Sequence, residues 1–171
     1  MDPNSEARLQ QVVPQLSAII HHMDEILVAE NIHIHVVQGL RSWNDQLAEW
    51  LKGRDADGNI IDKSQVVTHA PPGHSWHEFG MAVDVAPFDA HGKPEWGLDD
   101  PVWGPIWRRI IGLGESLGLY SGDEFVHCPK DDPHFQLTGT FPVSPNDEVR
   151  QIFKDAGMPE VWKEAGLDPV S

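Results

Sequence analysis

The first part of the chain carries two hydrophobic patterns, one with the period of a helix and one with the period of a strand. Pro14 interrupts the helical pattern, and because proline lacks an N–H we expect a break or kink there that divides residues 5–29 into two helices. His21 and His22 lie beside the apolar stripe and are interpreted as surface residues rather than ligands. The residues of the stripe are Leu9, Val12, Val13, Leu16, Ile19, Ile20, Met23, Ile26 and Leu27.

Apolar residues and histidines alternate in NIHIHVVQG, which predicts a strand of about six residues. His33 and His35 share one face of this strand. Two histidines two positions apart could bind a metal, but a solvated strand face is the interpretation we favour. Ser42 then offers an N-cap for a helix, WNDQLAEWLK, that Gly53 would close.

A long polar segment, residues 54–75, precedes the next apolar run. Its DADGN stretch is similar to the start of a calcium loop, but glycine stands fourth instead of sixth and the twelfth position is Val66 instead of glutamate. We interpret DADGN as a turn and keep a weak cation site as the alternative. Loops longer than about fifteen residues in compact domains are usually functional or disordered.

Shorter elements fill the second half of the chain. MAVDVAPF predicts a strand, residues 101–117 predict a helix, and DEFVHCPKDDPHFQL predicts a short strand, a loop and a second short strand. Two short helical patterns follow within residues 144–167. Helices at both ends and in the middle, with short strands between, indicate an α+β fold with a small, mainly antiparallel sheet flanked by helices. We expect residues 1–171 to form a single domain with its functional site in a cleft.

Composition excludes several classes of function. Twelve Lys and Arg face 27 Asp and Glu, and the net charge of −15 argues against a nucleic-acid partner. No apolar run approaches twenty residues, so we expect no membrane span, and MDPNSEARLQ has no signal-peptide pattern. The single cysteine, Cys128, excludes an intramolecular disulfide and a cysteine-rich zinc site; a buried or incidental thiol is favoured over a nucleophile.

The stretch HSWHEFGMAVDV contains an aspartate that needs a partner. Asp84 interrupts an apolar run that is typical of a buried strand, and a buried carboxylate is costly when it is unpaired. His77 precedes Asp84 by seven residues, which span roughly 23 Å when extended. Two ligands of one zinc lie only about 3–3.5 Å apart, so the chain would have to turn back, and Gly80 permits such a turn.

A catalytic zinc takes three protein ligands, so a third must come from elsewhere in the chain. His134 in KDDPHFQL is the best candidate, and His127 is its competitor. A general base should lie near the metal without binding it, and Asp131, three residues before His134, suits that place. The rivals for the base are Asp132 and Glu124.

The common zinc motif HExxH is absent. HEFGM has Met81 where the second histidine would stand, so this logic does not support Glu78 as the base.

Three blocks of sequence together carry a resemblance to a known family. SWHEFGMAVD, Ser75–Asp84, looks like S-x-H-x-x-G-x-A-x-D, a signature of the zinc D-Ala-D-Ala carboxypeptidase and L-alanyl-D-glutamate endopeptidase family. This family includes vancomycin-resistance (VanY-like) peptidases, bacterial wall hydrolases and phage endolysins. DDPHFQL resembles its second signature in the endolysin-like form Asp-x-Pro-His-Phe, and VQGLRSWNDQ resembles a third block. The resemblance spans about residues 9–140.

The resemblance implies a role for each matching residue. The metal ligands of Zn²⁺ would be His77, Asp84 and His134. Asp131 would activate the attacking water and later protonate the leaving amine, and Arg41 would hold the scissile carbonyl oxygen or a substrate carboxylate. The alternative for Arg41 is a surface ion pair. Ser75 would support a ligand or merely cap a turn, and Gln46 would assist the ligands or the substrate.

The same resemblance implies a zinc metallopeptidase that hydrolyses peptidoglycan stem peptides. Its endolysin-like form favours L-alanyl-D-glutamate endopeptidase activity; the alternatives are a D-Ala-D-Ala carboxypeptidase and a non-catalytic module that binds peptidoglycan. We expect a monomer that acts on the cell wall. Without a visible signal it would be made in the cytoplasm and released by a phage-type pore, unless a signal has been removed.

Overall fold

The computed structural model describes residues 1–126 and 130–167, which contain six α-helices, two short 3-10 helices and four strands. The helices are α1 (Pro3–Leu9), α2 (Pro14–Ala29), α3 (Trp43–Leu51), α4 (Trp103–Ser116), α5 (Asp147–Ala156) and α6 (Met158–Glu164). The strands are β1 (Ile34–Gln38), β2 (Ala82–Pro87), β3 (Tyr120–Gly122) and β4 (Asp131–Gln136). The predictions made for His127 and Cys128 concern residues outside the described part.

The helices form where the apolar periodicity predicts them. The stripe of residues 5–29 is divided by Pro14 into α1 and α2, as expected, because Pro14 is the first residue of α2 and needs no helical N–H there. Ser42 caps α3 by accepting a hydrogen bond from the backbone N–H of Asp45. The predicted pair of helices in the tail is confirmed as α5 and α6. Within the described ranges, no helix is both long and apolar enough to cross a membrane.

The four strands form one antiparallel sheet in the order β1-β2-β4-β3, which confirms the predicted α+β class. The central strands β2 and β4 place Asp84 directly opposite His134. The helices share one hydrophobic core with the sheet, and its largest buried side chains include Trp76, Phe79 and Phe135.

The first strand predicted within DEFVHCPKDDPHFQL is wrong in its position. Residues 123 and 124 form a turn, and β3 lies earlier, at Tyr120–Gly122. The helix α4 ends at Ser116, and Gly118 adopts a left-handed φ of 90°, so the chain reverses early enough for Tyr120 to pair with Gln136. The second predicted strand is confirmed as β4.

An irregularity divides the pairing between β3 and β4. Ser121 is paired with Phe135, but the next residue, Gly122, is paired with Asp131. β4 therefore bulges between these pairs, at a segment that contains Pro133, which has no N–H to give to a neighbouring strand. Such bulges change the direction of side chains relative to regular strand alternation.

Gly114 allows α4 to pack closely on the strand that carries His134. A Cβ at this position would overlap the ring of Phe135, which is fully buried. We expect Gly114→Ala to lower the free energy of unfolding by about 1–3 kcal/mol, because the buried ring has nowhere to move. Chemical denaturation monitored by tryptophan fluorescence measures this change.

The matched control is Gly112→Ala in the same helix, where an added Cβ meets no atom within 4 Å. The free energy of unfolding of this variant should rise by about 0.5–1 kcal/mol, because alanine loses less backbone entropy than glycine when it enters a helix. Equal stabilities for the two variants would contradict the proposed close packing at Phe135.

Candidate active site

A left-handed turn brings His77 and Asp84 together. His77 lies in a short 3-10 helix, Trp76–Phe79, which ends at Gly80 with φ 63° and ψ 28°. Glycine adopts this conformation without the steric cost that other residues meet. Two residues later β2 begins and carries Asp84 on a rigid strand. The reversal predicted at Gly80 is thus the one that the structure contains.

Three ligand atoms from three segments converge beside the sheet. His77 Nε2 lies 3.1 Å from Asp84 Oδ1 and 3.2 Å from His134 Nδ1. His134 Nδ1 lies 3.4 Å from Asp84 Oδ1. Both histidines are buried, and the side chain of Asp84 is 17% exposed. The sequence prediction therefore named three residues that the fold brings into contact.

Hydrogen bonds on the far side of each ring determine which nitrogens of His77 and His134 face one another. His77 Nδ1 lies 2.9 Å from the carbonyl oxygen of Gly39, which can only accept, so Nδ1 carries the proton and Nε2 of the neutral ring has a lone pair. His134 Nε2 lies 2.9 Å from Gln136 Oε1, which leaves Nδ1 as the acceptor. In neutral rings, two lone pairs and a carboxylate oxygen meet with no hydrogen between them.

This donor set fits a zinc ion. Imidazole nitrogens and a carboxylate oxygen are zinc ligands in catalytic sites, and three of them leave one position open. Among residues 1–126 and 130–167, His77, Asp84 and His134 form the single group of three or more His, Cys, Asp or Glu side chains able to hold one metal ion.

The proximity of these side chains changes the pKa values of Asp84 and His134. Burial disfavours the charged form of Asp84, but His77 and His134 outweigh it and hold the pKa of Asp84 below its ordinary value. Burial by itself would lower the pKa of His134. The hydrogen bond and the negative charge of Asp84 have a larger, opposite effect, so the pKa of His134 lies above its ordinary value. A metal ion therefore competes with a proton for Nδ1 of His134.

Asp131 lines the same cleft as the three clustered side chains. The cleft has a volume of about 670 Å³, and the bulge in β4 brings Asp131 to its wall although regular alternation would separate it from His134. Partial removal from water raises the pKa of Asp131, and the negative charge of Asp84 raises it further. The rival candidates Asp132 and Glu124 are not among the described residues that line the cleft.

Arg41 also lines the cleft, and it is held from two sides. Its Nη2 lies 3.8 Å from Asp84 Oδ2, and its Nη1 donates to Gln46 Oε1 at 2.9 Å. Gln46 is buried and donates in turn to the carbonyl oxygen of Ala70 at 2.7 Å. The side chain of Arg41 is 14% exposed, so it is no surface ion pair. Gln46 contacts Arg41, and Ser75 occupies the N-cap of the 3-10 helix.

Glu78, to which the sequence motifs assign no role, is buried and holds the backbone of the preceding loop. Its carboxylate accepts hydrogen bonds from the backbone N–H of Gly73, at 2.8 and 2.9 Å, and of Ser75, at 3.2 Å. Burial raises the pKa of Glu78, and these hydrogen bonds oppose the rise. The Ser-x-x-Glu spacing of a capping box is the sequence signal that could have identified it.

We expect Glu78→Gln to lower the free energy of unfolding by about 1–3 kcal/mol while the protein still binds zinc. The amide places an NH2 group near backbone donors that need an acceptor. Thermal unfolding and metal content measure the two effects, and Glu25→Gln, at a side chain 78% exposed, is the control. A loss of turnover with unchanged stability would instead indicate that Glu78 takes part in catalysis.

His35 and Asp55, from the other histidine and acidic motifs, take part in local structure. The ring of His35 stacks on Phe88 with centroids 3.9 Å apart, and its Nδ1 lies 3.2 Å from Asp2 Oδ2. Asp55 of DADGN accepts hydrogen bonds from the backbone of Asp57 and Asn59, which confirms the predicted turn.

Comparisons with known proteins point to one family. A family model described as VanY, D-alanyl-D-alanine carboxypeptidase, matches residues 9–96, and a second model with the same description matches residues 68–137. The peptidoglycan L-alanyl-D-glutamate endopeptidase CwlK of Bacillus subtilis (strain 168) is 27% identical over 111 residues. This match spans 63% of the present chain and 62% of the length of CwlK.

Two solved structures extend the likeness to the fold. The L-Ala D-Glu endopeptidase ChiX of Serratia marcescens aligns with a TM-score of 0.54 and 27% identity, over 81% of this chain and 89% of ChiX. A Zn(II) complex of the vancomycin-resistance D,D-pentapeptidase VanY, from a VanB-type cassette, aligns with a TM-score of 0.52 and 16% identity, over 88% and 81% of the two chains. Since the first family model covers more than half of the 171 residues and includes His77 and Asp84, the chain belongs to the VanY family of D-alanyl-D-alanine carboxypeptidases.

Proposed function

We propose that this protein is a zinc-dependent peptidase that hydrolyses the L-alanyl–D-glutamate bond of peptidoglycan stem peptides. The observation that carries the proposal is the convergence of His77 Nε2, Asp84 Oδ1 and His134 Nδ1 in a cleft that also presents Asp131. The names of CwlK and ChiX, both L-Ala-D-Glu endopeptidases, support this choice of bond.

His77, Asp84 and His134 would hold the zinc ion. When bound, zinc supplies Lewis acidity, which polarises a carbonyl group and lowers the pKa of water toward about 7. The buried sheet keeps the ligand atoms in place, because Asp84 and His134 lie on paired central strands. A preformed site of this kind avoids the cost of ordering its ligands during the reaction.

Asp131 and Arg41 would carry the remaining steps. The carboxylate of Asp131 accepts a proton from the attacking water and later passes it to the amine of the leaving group. The guanidinium of Arg41 stabilises negative charge on the scissile carbonyl oxygen or holds a substrate carboxylate, and Gln46 keeps it in that position.

Mass spectrometry of digested muropeptides tests the proposal most directly. The protein is incubated with purified peptidoglycan, with and without a chelator. We expect metal-dependent release of peptides that begin with D-glutamate, with L-alanine retained on the sugar strand. Absence of new amino groups in both conditions would support the non-catalytic binding module instead.

The second candidate is a D-Ala-D-Ala carboxypeptidase, which the description of the matching family favours. This activity would release free D-alanine and leave the L-alanyl–D-glutamate bond intact, so the same digest separates the two. For either activity, we propose a monomer that acts on stem peptides in the cell wall.

A further inference from the structure

The side-chain amide of Gln136 lies beside His134, a proposed metal ligand, and the sheet holds the backbone of Gln136 in place. Gln136 is 2% exposed and is the last residue of β4. Its backbone is paired with Ala82 on one side and with Tyr120 on the other. Because both neighbours hold the backbone, the side chain starts from a rigid position in the middle of the sheet.

The hydrogen-bond partners of this amide determine its orientation. One end lies 2.8 Å from the carbonyl oxygen of Val143, which can only accept, so the NH2 group faces Val143. The oxygen Oε1 therefore faces His134 Nε2, at 2.9 Å. An amide oxygen accepts only, and for this reason the proton of the neutral imidazole belongs on Nε2 and the lone pair on Nδ1.

The carbonyl oxygen of Val143 connects both ligand-bearing segments. It also accepts a hydrogen bond from Trp76 Nε1 at 2.8 Å. Trp76 directly precedes His77, and Gln136 follows His134 by two residues. The two lone pairs of one backbone oxygen thus connect to the segments of two proposed ligands.

We infer that Gln136 is a positioning residue for the metal site. This inference rests on the zinc site of the proposed function. Through Oε1, Gln136 keeps the proton of His134 on Nε2 and fixes the plane of the ring. Nδ1 is thereby directed toward His77 and Asp84. Partners of this kind raise metal affinity because the ligand is already in its binding tautomer and orientation.

Zinc affinity of the intact chain, measured by competition with a chromophoric chelator, tests this inference. Gln136→Met keeps the length of the side chain but removes the amide acceptor, and we expect about 10–100-fold weaker zinc binding. Gln136→Glu keeps an acceptor for His134 Nε2 but loses the N–H donated to Val143, so it should recover part of the affinity. Gln151→Met, at an exposed glutamine of α5, should bind zinc as the wild type does.

Nitrogen-15 NMR of the histidine rings supplies a readout that general destabilisation would not move. In the zinc-loaded wild type, the Nε2 proton of His134 should be hydrogen-bonded and shifted downfield, and Gln136→Met should move it upfield. Unchanged affinity and an unchanged resonance in Gln136→Met would overturn the inference while leaving the zinc site intact. Failure of the wild type to bind zinc would instead refute the proposed function.

Discussion

Replacing Asp131 with asparagine is expected to lower kcat/KM for stem-peptide hydrolysis by about 10²–10⁴-fold, the usual contribution of a general base. The amide has nearly the same size as the carboxylate but cannot take a proton from water. Asp131 is not one of the three convergent ligands, so zinc should remain bound at one ion per chain. Initial rates on purified muropeptides and metal analysis of the dialysed variant measure the two quantities.

Asp132→Asn is the matched control for this prediction. Asp132 is the neighbouring residue of the same strand but is not among the described residues that line the cleft. Its variant should keep wild-type kcat/KM. Full activity of Asp131→Asn would show that Asp131 is not the base, and a large loss in Asp132→Asn alone would assign the role to Asp132.

Replacing His134 with alanine should weaken zinc binding by more than about 100-fold, beyond the range seen when only the partner of a ligand is removed. Two protein ligands would remain, and the carboxylate of Asp84 would lose its contact with His134 Nδ1. Turnover should fall to the level of the chelator-treated wild type, because both lack the Lewis acid. Zinc titration and peptide release measured on the same preparation test both outcomes.

The control for His134→Ala is His33→Ala, which removes an exposed histidine next to β1. It should leave zinc affinity and turnover unchanged. Since His134 is buried, circular dichroism and thermal unfolding must show that its variant is folded; otherwise His134→Gln, which fills more of the space, replaces it. Zinc bound at wild-type affinity by a folded variant would place the third ligand elsewhere.

The elements of the fold were largely predictable because they follow from local features of the chain. Pro14 divides a helical stripe because it lacks an N–H, and Ser42 caps a helix through a hydrogen bond to a residue three positions later. The position of β3 was not predictable in this way. It depends on pairing with Gln136, which lies sixteen residues after Tyr120 along the sequence.

The choice between Asp131 and Asp132 shows how one irregularity changes a site. Regular alternation would place Asp132 on the face of His134, since they are two residues apart. The bulge in β4 instead brings Asp131 to the cleft. From the residues alone both acids were candidates, and only the resemblance favoured Asp131.

The sequence by itself determined which side chains were suited to hold a metal and where the chain would turn between them. His77, Gly80 and Asp84 lie within eight residues, so their relation follows from local backbone geometry. Only the tertiary structure decided which nitrogen of each ring faces the metal position. The hydrogen bonds that decide it end on Gly39 for His77 and, through Gln136, on Val143 for His134. The carbonyl of Gly39 is 38 residues from His77 along the chain, and no local pattern specifies a contact that forms only when the chain has folded.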